Sequence, residues 1–193
     1  VQQAADEVKR IEVLTRSTLG FFRSSSEPEP VDLAASAEAV HFLLGPTLRQ
    51  RGVELKIEQQ GDCTVSAYAM ETRQVLLNLV RNAVEATTRS GAAVTINLDG
   101  RPDDVRIVVS DEGSGITPPV MSTLFQFGVS TKGDRGNGMG LWLVRQLVNR
   151  HGGTIHTESE PGKGSRFTVV WPRKSPPQTA AADEPIAVPA AGR

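Results

Sequence analysis

The chain is short of cysteine, of aromatic side chains and of net charge. One of its 193 residues is cysteine, Cys63, so neither an intramolecular disulfide nor a cysteine-rich zinc site can form, and a reducing compartment is the simplest setting. A lone cysteine of this kind reads as a small buried hydrophobe. Lys and Arg number 21 against 22 Asp and Glu, a formal net charge of −1, which removes the sequence-independent attraction on which nucleic-acid binders rely. No run approaches the roughly 18 to 20 apolar residues of a membrane span. The longest uncharged run, Gly113 to Thr131, is interrupted by Gly, Ser, Thr and Pro. Neither nucleic acid nor a membrane is therefore expected as a partner of this portion. The chain opens at Val1 in helical pattern, without Met and without signal-peptide architecture, and reads as part of a longer protein.

Glycine is what the chain has in quantity: 18 residues, 11 of them among the 52 from Gly113 to Gly164. The organisation around that cluster follows from periodicity. Val1, Ala4, Val8, Ile11, Thr15, Thr18 and Phe22 fall at three- and four-residue spacing, which predicts a helix with an interhelical seam over 1–22. The run Ser24-Ser25-Ser26-Glu27-Pro28-Glu29-Pro30 breaks it, so 24–31 reads as a linker. Asp32 is placed to cap a helix running to about Arg51, closed by Gly52. Strands are expected over Val53–Ile57 and around Cys63–Val65, a helix over 67–89, and a strand pair over Val94–Leu98 and Val105–Val109. From Asp111 to about Gly138 no period is sustained, and a loop of that length in a compact domain is usually functional or mobile. A helix through Leu141 to Val148 closes at His151-Gly152-Gly153, and strands follow over 153–158 and 166–171. Residues 173–193, rich in Pro and Ala, read as a flexible tail or linker. The expected architecture is α+β: a two-layer sandwich with helices on one face of a mixed, largely antiparallel sheet, preceded by an N-terminal helix.

Three short patterns carry chemistry. In the helix over 67–89, Val75, Leu76, Leu79, Val80, Ala83 and Val84 form the apolar face. Asn78, Asn82 and Glu85 share another, where amide oxygens one turn apart suit a magnesium ion already charge-balanced by phosphates. The strand ending Val109-Ser110-Asp111 is followed by Glu112-Gly113-Ser114-Gly115-Ile116. A carboxylate there can accept the exocyclic amine of adenine, while the glycines admit backbone close to the base. Gly136-Asn137-Gly138-Met139-Gly140-Leu141 opens a helix, exposing backbone N–H groups where phosphate binds. It is not a dinucleotide fingerprint, which needs glycine at Leu141, and no Walker A loop exists, since Gly-Lys-Ser/Thr occurs nowhere. Taken singly, each pattern is more often an ordinary solvated helix face or turn. Their order and spacing are not ordinary.

That order resembles the catalytic ATP-binding domain of sensor histidine kinases, the Bergerat fold of the wider gyrase, heat-shock chaperone, kinase and mismatch-repair ATPase superfamily. Gln74–Ala86 (QVLLNLVRNAVEA) is similar to the N box, and Asp111–Ile116 (DEGSGI) to the first glycine box. Leu124–Lys132 (LFQFGVSTK) is similar to the F box of the ATP lid, Gly136–Leu141 (GNGMGL) to the second glycine box, and Gly162–Phe167 (GKGSRF) to the last. The resemblance covers about residues 31–172. It implies that 1–23 is the end of a dimerisation helix, that 24–31 is a linker, and that 32–172 binds ATP and Mg2+.

By the same resemblance Asn82 would ligate magnesium, with Asn78 and Glu85 beside it. Asp111 would bond the adenine amine, Gly113, Gly115 and Ile116 would line the base, and Ser165 would hold a water on the adenine edge. Gly138, Met139, Gly140 and Leu141 would lie along the phosphates, and Phe125 would anchor the lid. Lys132, with Arg135 as a second candidate, would reach the γ-phosphate; some members carry a Lys where Glu85 stands here. The implied partners are the protein's own dimerisation and phosphoacceptor domain, a response-regulator receiver domain and a second subunit in the full-length protein. The implied setting is cytoplasmic, whether or not the whole protein has a membrane anchor elsewhere. Hydrolytic members of the superfamily carry Glu four residues before the metal-binding Asn; Asn78 occupies that place and cannot take a proton from water at neutral pH. His41, followed by Phe42, Leu43, Leu44, Gly45 and Pro46, lacks the acceptor pattern and falls within the ATP-binding domain. His151 reads as a cap whose charge suits a helix C-terminus, and His156 as structural. Two rival readings are an ATP hydrolase of the same superfamily and a degenerate, nucleotide-responsive binding module.

Overall fold

A computed structural model describes residues 27–129 and 138–174. The helix expected over 1–22, the tail from 175 onward, Lys132 and Arg135 lie outside the described residues.

Strand β1 (Glu29–Asp32) runs directly into helix α1 (Leu33–Arg51). The Asp32 carboxylate accepts the Ala34 N–H at 2.8 Å, satisfying one donor of the first turn. Gly52 ends the helix at φ 62° with its N–H returned to Arg49 O. Strands β2 (Glu54–Gln60) and β3 (Thr64–Ala67), helix α2 (Ala69–Ala86), and strands β4 (Ala93–Gly100) and β5 (Asp104–Asp111) follow. A short α3 (Pro118–Met121), helix α4 (Gly140–Arg150), and strands β6 (Thr154–Glu160) and β7 (Gly164–Pro172) complete the order. Five strands form one sheet in the order β2-β4-β5-β7-β6. Only β2 and β4 are parallel; the other three pairs are antiparallel. This is the expected mixed, largely antiparallel sheet with helices laid over it.

Two local expectations need correction. The segment read as linker ends in a strand: β1 pairs antiparallel with β3 in a separate two-stranded sheet, Val31 opposite Val65, both buried. The Ser/Pro run reads as breaking the preceding helix; Pro30 is nonetheless tolerated in a strand at a sheet edge, where its missing N–H costs no ladder bond. The stretch without sustained period contains α3, which starts at Pro118-Pro119, residues suited to a first helical turn whose N–H groups have no intrahelical partner.

The core lies where the pattern put it. Val75, Leu76, Leu79, Val80, Ala83 and Val84 of α2 are at most 2% exposed. They belong to one cluster with Leu33, Ala37, Val40, Leu44 and Leu48 of α1, Leu143, Val144, Leu147 and Val148 of α4, and Ile96, Ile107, Val109, Val169 and Trp171 of the sheet. Helices α2 and α4 are also joined by polar groups beside Trp171. Arg150 Nη1 lies 2.9 Å from Glu71 Oε1, and the Arg150 guanidinium sits 5.2 Å from the Tyr68 ring centroid. His151 Nδ1 donates to Leu147 O at 2.8 Å, and Tyr68 N–H approaches His151 Nε2 at 3.4 Å.

At the opposite end of the sheet from Asp111, Arg173 gathers three loops. Its guanidinium donates to the carbonyls of Arg101, Asp62 and Thr64 and pairs with the Asp62 carboxylate at 3.3 Å. Its own backbone carbonyl accepts the Ser66 N–H from β3 at 2.8 Å.

His151 is 1% exposed, and burial holds its imidazole below the ordinary value. It is therefore a neutral residue at the C-terminus of α4, which corrects the expectation of a charged cap. In the acid range the unfolded chain binds a proton that the buried ring refuses. His151's contribution to stability is thus complete above about pH 6.5 and is lost as pH falls. Glu71, raised by burial against the pull of Arg150, acts with the opposite sign. Thermal melts of the parent between pH 7 and pH 5.5 should lose midpoint more steeply than those of His151→Asn. Parallel slopes would remove His151 from the pH dependence.

Candidate nucleotide site

On α2, Asn78, Asn82 and Glu85 are half-buried beside the apolar face. Asn78 meets the first turn of α4: a Cβ built on Gly140 would stand 3.6 Å from Asn78 Oδ1. Among the described residues the buried Asn78 Nδ2 has no hydrogen-bond partner, a donor waiting for an acceptor. Glu85 pairs with Arg81 at 3.0 Å in an i,i+4 bridge. Helix α4 has no side-chain cap at Met139 and no acid in its first turn, so its leading N–H groups and dipole are left for an anion. Gly138 precedes it at φ 61°, packed so closely on Gly128 and Val129 that a Cβ would strike their backbone.

The second half of the site forms at the end of β5. Asp111 is 7% exposed and faces Ser165 across the β5–β7 ladder. Its carboxylate accepts the Gly113 N–H at 2.8 Å and is hydrogen-bonded by Ser165; burial nevertheless pushes it above the ordinary carboxylate value. A Cβ on Gly113 would strike the Ala86 carbonyl, one on Gly115 the Glu160 carbonyl, and one on Gly164 the Asp111 carbonyl. Ser114 N–H bonds Ala86 O at 3.1 Å, tying this loop to the last turn of α2, one turn beyond Asn82. Gly162 N–H bonds Ser114 O from the other side at 2.8 Å.

The structure thus brings Asn78 against Gly140, and Asp111 together with Gly113, Gly115, Ile116 and Ser165, on loops held to the same helix. Phe125 and Leu141 are half-buried against the core. The Arg145 guanidinium lies 5.9 Å from the Phe125 ring centroid, and Phe127 meets Trp142 edge-on at 5.1 Å. His41 lies on α1, with a half-exposed side chain. One contributor was missed: Ser159 Oγ accepts the Ile116 N–H at 2.8 Å, donates to Gly164 O at 2.7 Å and lies 3.1 Å from Ser165 Oγ. Its trace in the sequence is a hydroxyl at an inward, half-buried position of the alternating strand β6. Chemically the arrangement offers a buried acceptor held among closely packed glycine backbone and, on α2, the Asn78 amide beside the first turn of α4.

A family model described as histidine kinase-, DNA gyrase B- and HSP90-like ATPase matches residues 68–175. The chain is 42% identical over 161 residues to the sensor histidine kinase ZraS of Escherichia coli, an overlap covering 77% of this chain and 34% of ZraS. It is 32% identical over 176 residues to the sensor protein FixL of Bradyrhizobium diazoefficiens, covering 89% and 35%. Of solved structures, the nucleotide-free catalytic domain of the histidine kinase ThkA matches with a TM-score of 0.70 at 28% identity, covering 77% of this chain and 97% of that one. Full-length ShkA in complex with AMPPNP matches with a TM-score of 0.72 at 26% identity, covering 93% and 39%. The first curated relatives are much longer proteins, of which this chain spans between 24% and 35%.

Gly164 stands at φ 100° with no room for a Cβ against Asp111. Gly164→Ala should therefore cost at least about 2 kcal/mol in urea unfolding, whereas Gly162→Ala, which also has positive φ but meets nothing within 4 Å, should cost about 1 kcal/mol. Equal losses would mean that the close approach to β5 is not what requires glycine.

Proposed function

The chain belongs to the histidine kinase-, DNA gyrase B- and HSP90-like ATPase family, and on that premise we propose that it is the catalytic domain of a sensor histidine kinase. It transfers the γ-phosphate of ATP to a histidine on a dimerisation domain, for relay to the aspartate of a response-regulator receiver domain. The observation that carries this reading is the buried Asp111 carboxylate beside the glycines of its loop, joined through the last turn of α2 to the Asn78 amide that meets the start of α4. Adenine presents a donor to such a carboxylate, where guanine would set an acceptor against it.

The residues fit ATP with magnesium. The cation would be balanced by phosphates, with the Asn82 amide oxygen as a protein ligand. Magnesium, when bound, spreads the charge of the γ-phosphate. Asn78 and Glu85 stand beside Asn82; the orphaned Asn78 amide N–H supports a phosphate or water partner there. Gly113, Gly115 and Ile116 line the base, and Ser165, steadied by Ser159, holds a water at its edge. The N–H groups of Gly138, Met139, Gly140 and Leu141 lie along the phosphates, Phe125 anchors the lid, and Lys132 or Arg135 meets the γ-phosphate. The work is positioning and electrostatics. With an amide at Asn78 in place of a carboxylate base, water is not activated, and the γ-phosphate is kept for a protein acceptor. The partner domain and a second copy of the full-length protein complete the reaction. Among the described residues no helix is long and apolar enough to cross a membrane. A cytoplasmic setting suits both ATP and the free, buried Cys63.

Titration with ATP, ADP and GTP, with and without magnesium, tests this reading. ATP should bind more tightly than GTP, and Asp111→Ala should weaken ATP about tenfold to a hundredfold, the worth of one hydrogen bond to a charged group. Asn82→Ala should abolish the gain from magnesium. Equal affinity for ATP and GTP, or an unchanged Asp111→Ala, would overturn the adenine assignment. With γ-labelled ATP, this chain alone should place no label on histidine and release phosphate slowly. Addition of the dimerisation segment should give labelled histidine there.

A further inference from the structure

Asp111, Ser165 and Ser159 stand in one row across three neighbouring strands. Asp111 of β5 is opposite Ser165 of β7, and Ser165 is opposite Ser159 of β6. Residues opposite one another in a sheet share a face, so the register alone lines up a carboxyl group and two hydroxyls. Asp111 and Ser165 are buried and Ser159 is half-buried, and the hydrogens of the row can be counted.

Ser159 Oγ accepts the Ile116 N–H at 2.8 Å and gives its one hydrogen to Gly164 O at 2.7 Å. One lone pair remains, and Ser165 Oγ lies 3.1 Å away. Ser165 also has one hydrogen, with two acceptors for it, the Asp111 carboxylate and Ser159 Oγ. While Asp111 is ionised the hydrogen goes to the carboxylate, the stronger acceptor. When Asp111 takes a proton from solvent, its new O–H needs an acceptor of its own. Ser165 Oγ becomes that acceptor as its hydrogen turns to Ser159. Every group is satisfied in either state, and only one hydroxyl has rotated.

We propose that Ser159 is a positioning residue that acts on Asp111 through Ser165: by offering Ser165 a second acceptor it accommodates a protonated Asp111, and nucleotide binding is thereby linked to proton uptake. The inference rests on the reading of Asp111 as the acceptor of the adenine amine. An ionised carboxylate holds that amine well, and a protonated one holds it less well. ATP affinity therefore falls as Asp111 is protonated, at a pH set by how well the protonated state is accommodated.

Neighbouring charges do not control this equilibrium. Of the strands beside Asp111, β4 presents Val94 and β7 presents Ser165. Glu112, next in the loop, pairs with Arg89 at 3.1 Å, Glu160 at the end of β6 with Lys163 at 2.8 Å, and Glu85 on α2 with Arg81 at 3.0 Å. Burial raises Asp111, and hydrogen bonds from Gly113 and Ser165 oppose it; among the described residues no charged side chain adds to these. The hydroxyl row is thus the part of its surroundings that differs between the two protonation states.

Calorimetric titration with ATP from about pH 8 to about pH 4.5, with folding followed by circular dichroism at each pH, tests the proposal. The parent should lose affinity on the acid side, by up to about tenfold per pH unit. Asp111→Asn should lack that limb, which separates it from protonation of the nucleotide's own phosphates. Ser159→Ala leaves the protonated state one acceptor short, so its limb should move about one pH unit lower, the worth of one buried hydrogen bond. Ser159→Thr should keep the limb in place. Ser159→Ala that weakens ATP equally at every pH, with the limb unmoved, would make Ser159 a purely structural brace and overturn the proposal. A parent profile that matches Asp111→Asn would also overturn it, while leaving the adenine assignment intact if Asp111→Ala still loses ATP. ATP binding unchanged in Asp111→Ala would remove both.

Discussion

Three lengths of backbone converge around Asp111 more closely than side chains would permit, and the setting of its carboxylate depends on that convergence. The last turn of α2 approaches Gly113, the end of β6 approaches Gly115, and β7 begins at Gly164 against the Asp111 carbonyl itself. A Cβ at any of the three would push its neighbour away. The consequence is both geometric and electrostatic. The carboxylate is sunk far enough for burial to raise its pKa, yet it is held by the Gly113 N–H and by Ser165, so its remaining lone pairs point to a defined place. Ser159 extends the brace by joining Ile116 to Gly164.

Helix α2 carries this arrangement to the start of α4. Its apolar face is immobilised in the core, so the half-buried edge with Asn78 and Asn82 has little freedom. At one end of the helix the Ala86 carbonyl holds the glycine loop; at the other Glu71 pairs with Arg150 of α4. The helix that opens at Gly140 is thus fixed at its far end as well as where it meets Asn78. Replacing a buried ion pair with apolar groups is often neutral for stability; its value here is a fixed relation between two helices.

Much of this was legible in the sequence because it is encoded locally. The Asp32 cap, the Gly52 stop and the six-residue apolar face of α2 each follow from periodicity or from one residue's stereochemistry. The glycines of the Asp111 loop were legible as a set, since their spacing reflects backbone that must approach closely. What escaped was decided by contacts distant in sequence. Strand β1 exists because β3 is there to pair with it, against the local preference of Pro30. Ser159 matters because of Ile116, 43 residues away. His151 has the residue type of a charged cap, but Trp171 and Tyr68 close over it and leave the ring neutral.

The Arg173 clamp sits where β5 starts and Asp111 where it ends. The chain enters through β1 and leaves past Arg173 on neighbouring backbone, so the domain hangs from a single corner. Eight residues of strand make an arm of about 25 Å. A turn of 30° about that corner would sweep the Asp111 end through roughly 13 Å, using the same strand length. Small rotations about that corner become large displacements of the far end of the sheet, and because both ends belong to one sheet, such a swing leaves the surroundings of Asp111 undeformed.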